Sequence, residues 1–436
     1  MRPINIGLMG VGTVGGGTVE VLKRNAEEIS RRAGRKIRLF MAANRDLDLA
    51  REKCGPDVIL VDDAFKVVDH PDVDIVVELI GGSTIARDLV FKAIENGKHV
   101  VTANKKLLAE YGNEIFARAH DKGVMVAFEA AVCGGVPIIK ALRESLAANR
   151  IESIAGIING TANYILTEMR EQQASFADAL ADAQRLGYAE ADPTFDIDGQ
   201  DSGHKLTIMA SIAFGIPMQF TKCYLEGIRN LDSKDIRYAE ELGYRVKLLG
   251  LTRRTDEGIE LRVHPTLIPA ERLIANVNGV KNAVLVIGDA VGPALFYGAG
   301  AGALPTASAV VADIVDVTRL LTADQGHQVP HLAFQSDQLQ DLPILPISDV
   351  VSSYYLRIQA IDRAGVLANI TRILAEDAIS IEALIQKGAA SDGAAEIVIL
   401  THRVKEQHIN HAIACIEDLD SVAGQVVRLR MEELNG

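Results

Sequence analysis

The sequence predicts an α/β protein in three parts. The first part is a doubly wound parallel sheet, the second an α+β domain with its own sheet, and the third a small β-α-β-β-α-β unit. Three observations carry this prediction. Short apolar runs alternate with helical stretches from the N-terminus onward, a glycine-rich turn follows the first run, and a stretch with several prolines precedes the last unit.

The composition limits the class of protein. A chain of 436 residues with 48% hydrophobic content has room for two or three domains. The net charge, 45 − 58 = −13, argues against a nucleic-acid surface. No apolar run reaches the roughly eighteen residues of a membrane helix, and we expect no signal peptide. Four scattered cysteines without a C-x-x-C pair favour reduced thiols and a cytoplasmic location.

The first apolar run, residues 4–9, leads into G-V-G-T-V-G at residues 10–15 and a helical pattern over residues 18–32. This order of strand, G-x-G-x-x-G and helix is typical of a Rossmann-type dinucleotide site. The first glycine permits a tight turn, the second lets the backbone approach a pyrophosphate, and the third lets helix and strand pack closely. A glycine-rich turn without a ligand is the alternative. The expected cofactor contacts are Gly10, Gly12, Thr13, Val14 and Gly15.

The end of the second strand, residues 37–43, bears on the choice of cofactor. Arg45 suits the 2′-phosphate of NADP, because its planar guanidinium pairs with phosphate oxygens. Asp46 suits the ribose 2′-hydroxyl of NAD. We therefore expect NADP, with NAD as the alternative.

Later apolar runs at residues 73–79, 99–102 and 124–129 predict further strands of the parallel sheet. Ligands of such sheets bind beyond the carboxyl ends of the strands. An ordinary surface lysine at the start of a helix is the alternative for Lys105, but its position favours contact with cofactor or substrate. The polar residues at these strand ends are Ser83, Asn104, Lys105 and Glu129.

The stretch E-A-A-V-C-G-G-V-P, residues 129–137, is a glycine-rich turn that enters a helix. Backbone carbonyls of such a turn, together with one carboxylate, can hold a hard cation. Alternatively, Cys133 could be the nucleophile of a thioester-forming aldehyde dehydrogenase, which requires a nearby histidine. Nothing indicates that His99 or His120 approaches it, so we interpret Cys133 as a small buried residue.

A second domain begins near residue 151. A strand and turn lead into a helix that Thr161 or Asn163 could cap and that extends to about residue 186. A later glycine-rich turn precedes a helix at about residues 305–321, which we expect to return to the first domain and to bring Gly302 near the cofactor. The remaining predicted strands are residues 248–251, 260–265, 280–287 and 292–297.

The segment A-E-A-D-P-T-F-D-I-D-G-Q-D-S-G-H-K, residues 189–205, concentrates carboxylates before one lysine. Pro193 and Gly199 interrupt any helix, and a buried helical pattern follows from Ser202. Lys205 would lie in the first turn of that helix, against the helix dipole, where the carboxylates would hold it. A solvated acidic loop is the alternative, since the spacing does not fit an EF-hand.

The last third contains a predicted linker, residues 322–353, with three prolines and little periodicity. The unit beyond it has an open sheet edge that would invite pairing with a second copy, so we expect a homo-oligomer, either a dimer or a tetramer. Its predicted strands are residues 354–361, 379–386, 395–401 and 426–430, and its helices end near residue 377 and extend over residues 406–417.

Taken in this order, the motifs resemble those of bacterial homoserine dehydrogenases with a C-terminal ACT regulatory domain. The resemblance rests on G-V-G-T-V-G, T-A-N-K-K, G-I-I-N-G-T-A-N-Y-I-L, the acidic segment and Y-G-A-G-A-G, and covers nearly the whole chain. It implies reversible reduction of L-aspartate 4-semialdehyde to L-homoserine with NADPH or NADH, on the aspartate route to threonine, methionine and isoleucine. The expected domains are a Rossmann domain at 1–135, a catalytic and dimerisation domain at 136–322, a linker at 323–352 and an ACT domain at 353–431.

The resemblance also implies roles for individual residues. Lys205 corresponds to the family's proton-transferring lysine, and Lys105 to a second active-site lysine that touches cofactor and substrate. The turn at residues 362–369 resembles the ACT signature that binds an amino-acid effector, which is threonine in this pathway. The implied substrate ligands are Glu190, Asp196 and Asp201, the implied sodium ligands are Glu129, Val132, Gly134 and Val136, and Gly302 is an implied cofactor contact.

The implied roles agree with the chemistry of the residues. Carboxylates offer a counter-charge to the α-ammonium of homoserine, and a lysine can stabilise and protonate the alkoxide left by hydride transfer. Two other classes remain as alternatives: a phosphorylating semialdehyde dehydrogenase that uses Cys133, and a non-catalytic amino-acid sensor. We do not expect a bifunctional kinase–dehydrogenase, because no kinase-like segment precedes the first strand.

Overall fold

The fold is taken from a computed structural model, which describes residues 2–321, 329–387 and 394–434. In those ranges no helix is both long enough and apolar enough to cross a membrane. Contacts between Cα atoms divide the chain into two compact units, each built from three stretches. Unit 1 comprises Met1–Gly160, Asp201–Cys223 and Val280–Leu342, and unit 2 comprises Thr161–Gln200, Tyr224–Gly279 and Pro343–Gly436.

The strands are numbered in chain order. They are β1 Ile4–Met9, β2 Ile37–Ala43, β3 Ile59–Val61, β4 Ile75–Glu78, β5 His99–Thr102, β6 Val126–Ala127, β7 Ile151–Ile157, β8 Tyr224–Leu225, β9 Tyr244–Arg254, β10 Ile259–Pro269, β11 Lys281–Gly288, β12 Gly292–Ala299, β13 Val351–Ile361, β14 Ile381–Lys387, β15 Ala394–Thr401, β16 Val404–Lys405 and β17 Val427–Met431.

The α-helices are numbered in the same way. They are α1 Thr13–Arg24, α2 Ala26–Ala33, α3 Leu47–Cys54, α4 Phe65–Asp69, α5 Thr84–Glu95, α6 Lys105–Lys122, α7 Ile138–Lys140, α8 Gly160–Glu171, α9 Phe176–Arg185, α10 Thr194–Ile197, α11 Gln200–Phe214, α12 Ser233–Glu241, α13 Ala303–Leu320, α14 Val366–Glu376 and α15 Glu406–Glu417.

The parallel sheet of unit 1 has the order β3-β2-β1-β4-β5-β6, and all its pairs are parallel. β1 lies between β2 and β4, with Ile4 opposite Ile37 and Ile6 opposite Ile75. All four residues of β4 are buried, as expected for a strand covered by helices on both faces. This strand order defines a dinucleotide-binding fold, so the predicted Rossmann-type domain is confirmed.

Helix α13 completes the core of that sheet, although it follows the second sheet of the unit in the chain. Its residues Val310, Ile314 and Val317 belong to the same buried cluster as Ile6 and Leu8 of β1. Its first turn touches α1 backbone to backbone: a Cβ placed on Gly17 would lie 2.5 Å from the carbonyl oxygen of Ala303. Only glycine fits at that point of α1.

The second sheet of unit 1 is antiparallel and has the order β12-β11-β7. β11 and β12 form a hairpin in which Lys281 faces Ala299 and Gly288 faces Gly292. Gly292 has a φ of 67°, the left-handed conformation that this tight connection requires. β7 ends just before Ile158 and Asn159, and it therefore delivers those two residues to the functional site described below.

Unit 2 combines a long hairpin with the C-terminal βαββαβ element. β9 and β10 pair antiparallel along their whole length, and every residue of β10 is buried. The C-terminal element has the strand order β17-β13-β15-β14, and α14 and α15 pack on its buried Tyr354, Leu356 and Ile358. β17 also pairs in parallel with β10, where Thr266 lies opposite Arg430. The α+β domain and the βαββαβ unit are thus confirmed as fold classes.

Three predicted elements differ from the structure. The helix expected over residues 18–32 begins earlier and is two helices, α1 and α2, that meet at Asn25. The helix expected to extend to residue 186 is also two, α8 and α9, because Gln173 between them adopts a positive φ of 53°. α11 begins at Gln200, so Lys205 lies in its second turn and not in the first.

Candidate active site

Two lysines of unit 1 share one buried carboxylate. The Nζ of Lys205 lies 2.8 Å from Oδ2 of Asp201, and the Nζ of Lys105 lies 2.8 Å from Oδ1. Asp201 and Lys205 are one turn apart on α11, while Lys105 is the first residue of α6, at the carboxyl end of β5. The Asp201 side chain is only 3% exposed, whereas that of Lys105 is 35% exposed. The cluster therefore has one side open to a ligand.

The charges in this cluster stabilise each other. Burial alone would raise the pKa of the Asp201 carboxyl, but the two lysines outweigh burial and hold that pKa far below its usual range. Asp201 is therefore ionised throughout the physiological range. Because two ammonium groups face one carboxylate, the three groups together carry one positive charge. Such a site suits a developing alkoxide or a carboxylate of a substrate.

Two neighbours of this cluster were not recognised in the sequence. The amide of Asn159 donates to Oδ2 of Asp201 at 2.9 Å, and Lys205 donates to the carbonyl oxygen of Ile158 at 2.7 Å. Both residues follow β7, in the segment G-I-I-N-G-T-A-N-Y-I-L, where the sequence assigned possible helix caps to Thr161 and Asn163 but no role to these two residues. The signal was the position of an asparagine at the end of a strand.

His204 precedes Lys205 in α11. Its side chain is buried against the ring of Phe220, with 4.1 Å between the ring centroids. Burial lowers the pKa of His204 to about 4, so the imidazole is neutral at physiological pH.

The glycine-rich turn after β1 has the geometry of a phosphate cradle. Gly10 has a φ of 93°, and a Cβ on Gly15 would lie 2.0 Å from the carbonyl oxygen of Gly10, so both positions require glycine. A Cβ on Gly12 would meet nothing within 4 Å, which leaves space beside the N-terminus of α1. The first residues of α1, Thr13 and Val14, direct N–H groups into that space. The turn fits a pyrophosphate.

The ends of β2 and β4 supply the remaining expected cofactor contacts within unit 1. Arg45 is exposed after β2, and the carboxylate of Asp46 caps α3 by accepting the N–H groups of Asp48 and Leu49. Ser83 precedes α5, where the side chain of Asn104 donates to the neighbouring Gly82 carbonyl at 2.6 Å. The cap at Asp46 reduces its availability for a ribose hydroxyl.

Gly302 is the residue before α13 and has a φ of 123°. This conformation is accessible to glycine and strained for other residues. The preceding Gly300 packs on Asn282 so closely that a Cβ would lie 2.1 Å from the amide carbon. The turn brings backbone, without side chains, to the N-terminus of a helix that packs on α1.

The turn at residues 129–137 belongs to unit 1, and the side chain of its one carboxylate, Glu129, is buried. Both oxygens of Glu129 accept backbone N–H groups, from Ile139 at 2.9 Å and from Lys140 at 2.8 Å. Its own N–H donates to Asp313 of α13. Both oxygens of the Glu129 carboxylate thus bind backbone N–H groups, and the sodium ligands Glu129, Val132, Gly134 and Val136 stay a prediction.

Cys133 lies in the same turn and is fully buried. Burial raises the pKa of its thiol to about 12, which leaves no thiolate at neutral pH. A thioester mechanism requires that thiolate. The geometry disfavours Cys133 as a nucleophile, in agreement with its interpretation as a buried residue.

The other acidic residues of the segment belong to unit 2. Glu190 is exposed, and Asp196 is half-buried in α10. The end of α10 is fixed by a hydrogen bond from Ile228 to the carbonyl oxygen of Ile197, at 2.8 Å, and by the pairing of Arg229 with Asp198. Asp201, the third expected substrate ligand, lies in the lysine cluster of unit 1.

A dinucleotide cradle on a doubly wound sheet, together with a lysine cluster suited to an alkoxide, defines an NAD(P)-dependent oxidoreductase. Family models agree with this class: "Homoserine dehydrogenase, NAD binding domain" matches residues 10–129 and "Homoserine dehydrogenase" matches residues 137–315. "ACT domain" matches residues 354–421.

Individual relatives give the same result. A homoserine dehydrogenase of Neisseria gonorrhoeae is 64% identical over 435 residues, which are 100% of both chains. The crystal structure of a homoserine dehydrogenase from Thiobacillus denitrificans is 66% identical, with a TM-score of 0.96 over 100% of this chain and 99% of that one. A hyperthermophilic archaeal homoserine dehydrogenase in complex with NADPH is 27% identical, with a TM-score of 0.62 over 73% of this chain and 98% of its own. The chain belongs to the homoserine dehydrogenase family.

Proposed function

We propose that the chain interconverts L-aspartate 4-semialdehyde and L-homoserine, with the cluster of Lys105, Asp201 and Lys205 as its catalytic centre. The observation that carries the proposal is the shared carboxylate. It fixes the ammonium groups of two lysines from different helices at one open site. When bound, the nicotinamide supplies the hydride that reduces the aldehyde carbon.

The residues of the chain would then manage charge and protons. Lys205 donates a proton to the alkoxide oxygen during reduction and, as the free amine, removes it from the hydroxyl during oxidation. Lys105, which is more exposed, contacts cofactor and substrate. Asp201 orients both lysines, and Asn159 orients Asp201. Glu190 and Asp196 are proposed to bind the α-ammonium of the substrate.

The decisive experiment follows nicotinamide reduction with L-homoserine and either NADP or NAD. We expect turnover by the unaltered protein and a loss of about 10²–10⁴-fold in kcat for Lys205→Ala. Lys106→Ala, which changes an exposed lysine beside Lys105, is the matched control and should keep full activity. Folded protein that reduces neither cofactor would leave the amino-acid sensor as the better hypothesis.

We infer that NADP is the preferred cofactor, because Arg45 is exposed and the Asp46 carboxylate caps α3. The archaeal relative was solved with NADPH. Arg45→Ala should raise KM for NADP and leave KM for NAD nearly unchanged. Equal effects on both cofactors would exclude a role at the 2′-phosphate.

The cation, the effector and the assembly are further parts of the proposal. A sodium ion would bind the carbonyls of Glu129, Val132, Gly134 and Val136, and removing sodium by dialysis tests whether it is needed. Threonine would bind at the turn of residues 362–369, which enters α14, and lower activity in the same assay. We expect a cytoplasmic homo-oligomer, dimer or tetramer, which light scattering would distinguish.

A further inference from the structure

Arg430 of β17 is a fully buried arginine that joins the ACT domain to β8. Its Nε donates to Glu406, the first residue of α15, at 2.7 Å, and its Nη1 donates to Glu226 at 2.7 Å. Its guanidinium also lies over the ring of Tyr224, 4.9 Å from the centroid. The arginine thus binds one carboxylate within the ACT domain and one outside it.

Glu226 is fixed from several directions. Its carboxylate accepts the hydroxyl of Tyr224 at 2.7 Å as well as Arg430, and its N–H donates to the carbonyl oxygen of Val263 in β10. Burial alone would raise the pKa of Glu226, but the Arg430 guanidinium outweighs burial and lowers it. The carboxylate is therefore ionised, and the pair is a true ion pair.

The residues after Glu226 support the acidic segment directly. Gly227 lies so close to it that a Cβ would be 2.3 Å from the carbonyl oxygen of Ile197. Ile228 donates to that same oxygen at 2.8 Å, and Arg229 binds both carboxylate oxygens of Asp198. Residues 226–229 thus form the support on which the end of α10 rests, one residue after Asp196.

Burying an arginine between two carboxylates contributes little net stability, because desolvation offsets most of the attraction. Such groups are better explained when they fix one arrangement among several that a hydrophobic contact would allow. Here the arrangement that they fix is the distance from β17 to residues 226–229.

We propose that Arg430 and Glu226 position the acidic segment for substrate, so that the last strand of the ACT domain is a structural part of substrate binding. The proposal rests on the proposed function, since it takes Glu190 and Asp196 as ligands of the substrate ammonium. It makes Arg430, Glu226 and Tyr224 positioning residues, because none of them needs to touch the substrate. An effector that displaces β17 would then act on KM for homoserine.

The test is Glu226→Gln in the full-length chain, which keeps the side-chain volume and removes the charge that Arg430 binds. We expect KM for homoserine to rise about tenfold, while kcat and KM for the cofactor stay within about twofold. Amide hydrogen exchange of residues 190–198, measured without substrate, should accelerate. A residue that only contributes to global stability would instead accelerate exchange across the whole chain and leave KM for homoserine unchanged.

The matched control is Glu396→Gln. Glu396 also connects the ACT domain to the rest of unit 2, through Lys234 and Tyr238 of α12, but it does not contact residues 226–229. It should leave both KM and the exchange of residues 190–198 unchanged. If Glu226→Gln fails to fold, Tyr224→Phe removes only the hydroxyl between Glu226 and Arg430 and should give a smaller change in the same direction.

The outcomes separate this inference from the proposed function. If the unaltered protein does not oxidise homoserine, the proposed function fails, and the hydrogen exchange still tests the support of residues 190–198. If the protein is active but both variants show unchanged KM and exchange, the positioning role is overturned. Equal effects of Glu396→Gln and Glu226→Gln would also overturn it, because any loosening of the ACT domain would then suffice.

Discussion

The carboxylate of Asp201 binds three side chains, those of Lys105, Lys205 and Asn159. Each of its oxygens binds the Nζ of a lysine, and Asn159 donates to the oxygen that Lys205 also binds. Its capacity to accept hydrogen bonds is thus used largely within the protein. We expect a carboxylate in this position to orient the two lysines and to set the charge of the site.

Replacing Asp201 by Asn tests that role. The variant leaves two ammonium groups near each other without a counter-charge, so we expect kcat/KM to fall by about 10²-fold or more. Asp182→Asn, a change at a half-exposed carboxylate on α9 that pairs with Arg185, is the control and should leave kcat/KM unchanged. Circular dichroism must show that the variant is folded. Activity within about threefold of the unaltered protein would contradict the role of Asp201 as the shared counter-charge.

Asp313 of α13 predicts a pH dependence of stability. Its side chain is buried beside Glu129. Burial is the largest cause that raises the pKa of Asp313, and the negative charge of Glu129 is the second; together they raise it from 3.8 to about 7. The pKa of Asp313 is higher in the folded chain than in the unfolded chain. Its contribution to the free energy of unfolding is therefore fully present below the unfolded pKa and is lost as the pH rises towards 7. At about 1.4 kcal/mol per pKa unit, the loss is about 4 kcal/mol.

Asp313→Asn should therefore remove most of the decline in unfolding free energy between pH 5 and pH 8. The amide oxygen can still accept the N–H of Glu129, so the hydrogen bond is kept. Denaturant unfolding at several pH values measures the effect. Asp316→Asn, one turn along α13 and more exposed, is the comparison. Parallel curves for Asp313→Asn and the unaltered protein would show that Asp313 does not titrate as expected.

At the scale of elements, the sequence was most informative where one pattern has one physical cause. The buried run of β4 and the glycine turn after β1 could be predicted, because parallel strands covered on both faces require continuous apolar residues. The start of α11 could not be predicted to the residue. A glycine at position 199 predicts a loop. In the structure Gly199 has a φ of 85°, which separates α10 from α11 and allows α11 to begin at the next residue, Gln200.

That shift changes the chemistry of the site. Because α11 begins at Gln200, Asp201 occupies its first turn, where the helix dipole favours a carboxylate, and Lys205 lies one turn further on. Contacts such as Asn159 with Asp201 join segments that are distant in the chain, and no local pattern encodes them. The hydrogen bonds from the N–H groups of Ile139 and Lys140 to the buried Glu129 carboxylate could not be predicted from the sequence either.

The junction of β10 with β17 gives the prediction at this scale. Arg262 of β10 donates to Glu260 at 2.8 Å and to Glu432 at 2.5 Å, and it is almost completely buried. Burial alone would raise the pKa of Glu432, but Arg262 and Arg253 outweigh it and lower the pKa from 4.5 to about 2. The resulting stability is present above pH 4.5 and is lost as pH falls towards 2.

Glu432→Gln should destabilise the folded chain by about 3–5 kcal/mol at pH 7, because Arg262 loses one of its two buried carboxylates. It should also reduce the loss of stability between pH 5 and pH 3. Thermal and denaturant unfolding measure both effects. Glu433→Gln, which changes the exposed carboxylate next to Glu432, is the control. Equal stability of the two variants would mean that the buried pair contributes no more than a surface charge.

At the scale of the whole chain, the ACT domain is not a detachable module. The archaeal relative aligns with 73% of this chain and 98% of its own, so the fold exists in shorter chains. In this protein, however, β17 pairs with β10, and both Arg262 and Glu226 depend on charged partners from the C-terminal part. Removing that part exposes a strand edge and buried charges together.

A chain truncated after Leu342 should therefore be less soluble and lose cooperative unfolding of unit 2. The measurement is soluble yield and calorimetry of the truncated chain beside the full-length protein. Circular dichroism of the soluble fraction distinguishes loss of unit 2 from loss of all structure. If the truncated chain showed two thermal unfolding transitions with the same midpoint temperatures as the full-length protein, the interdependence of β10 and β17 would be contradicted.

The position of α13 has a consequence for synthesis of the protein. Val310 and Ile314 complete the core around β1, yet they leave the ribosome after both strands of the β11–β12 hairpin. The core of the parallel sheet therefore cannot be completed during synthesis until Leu320, the last residue of α13, has left the ribosome. Until then one apolar face of α1 stays uncovered. We therefore expect a nascent chain stalled before Ala303 to be prone to aggregation.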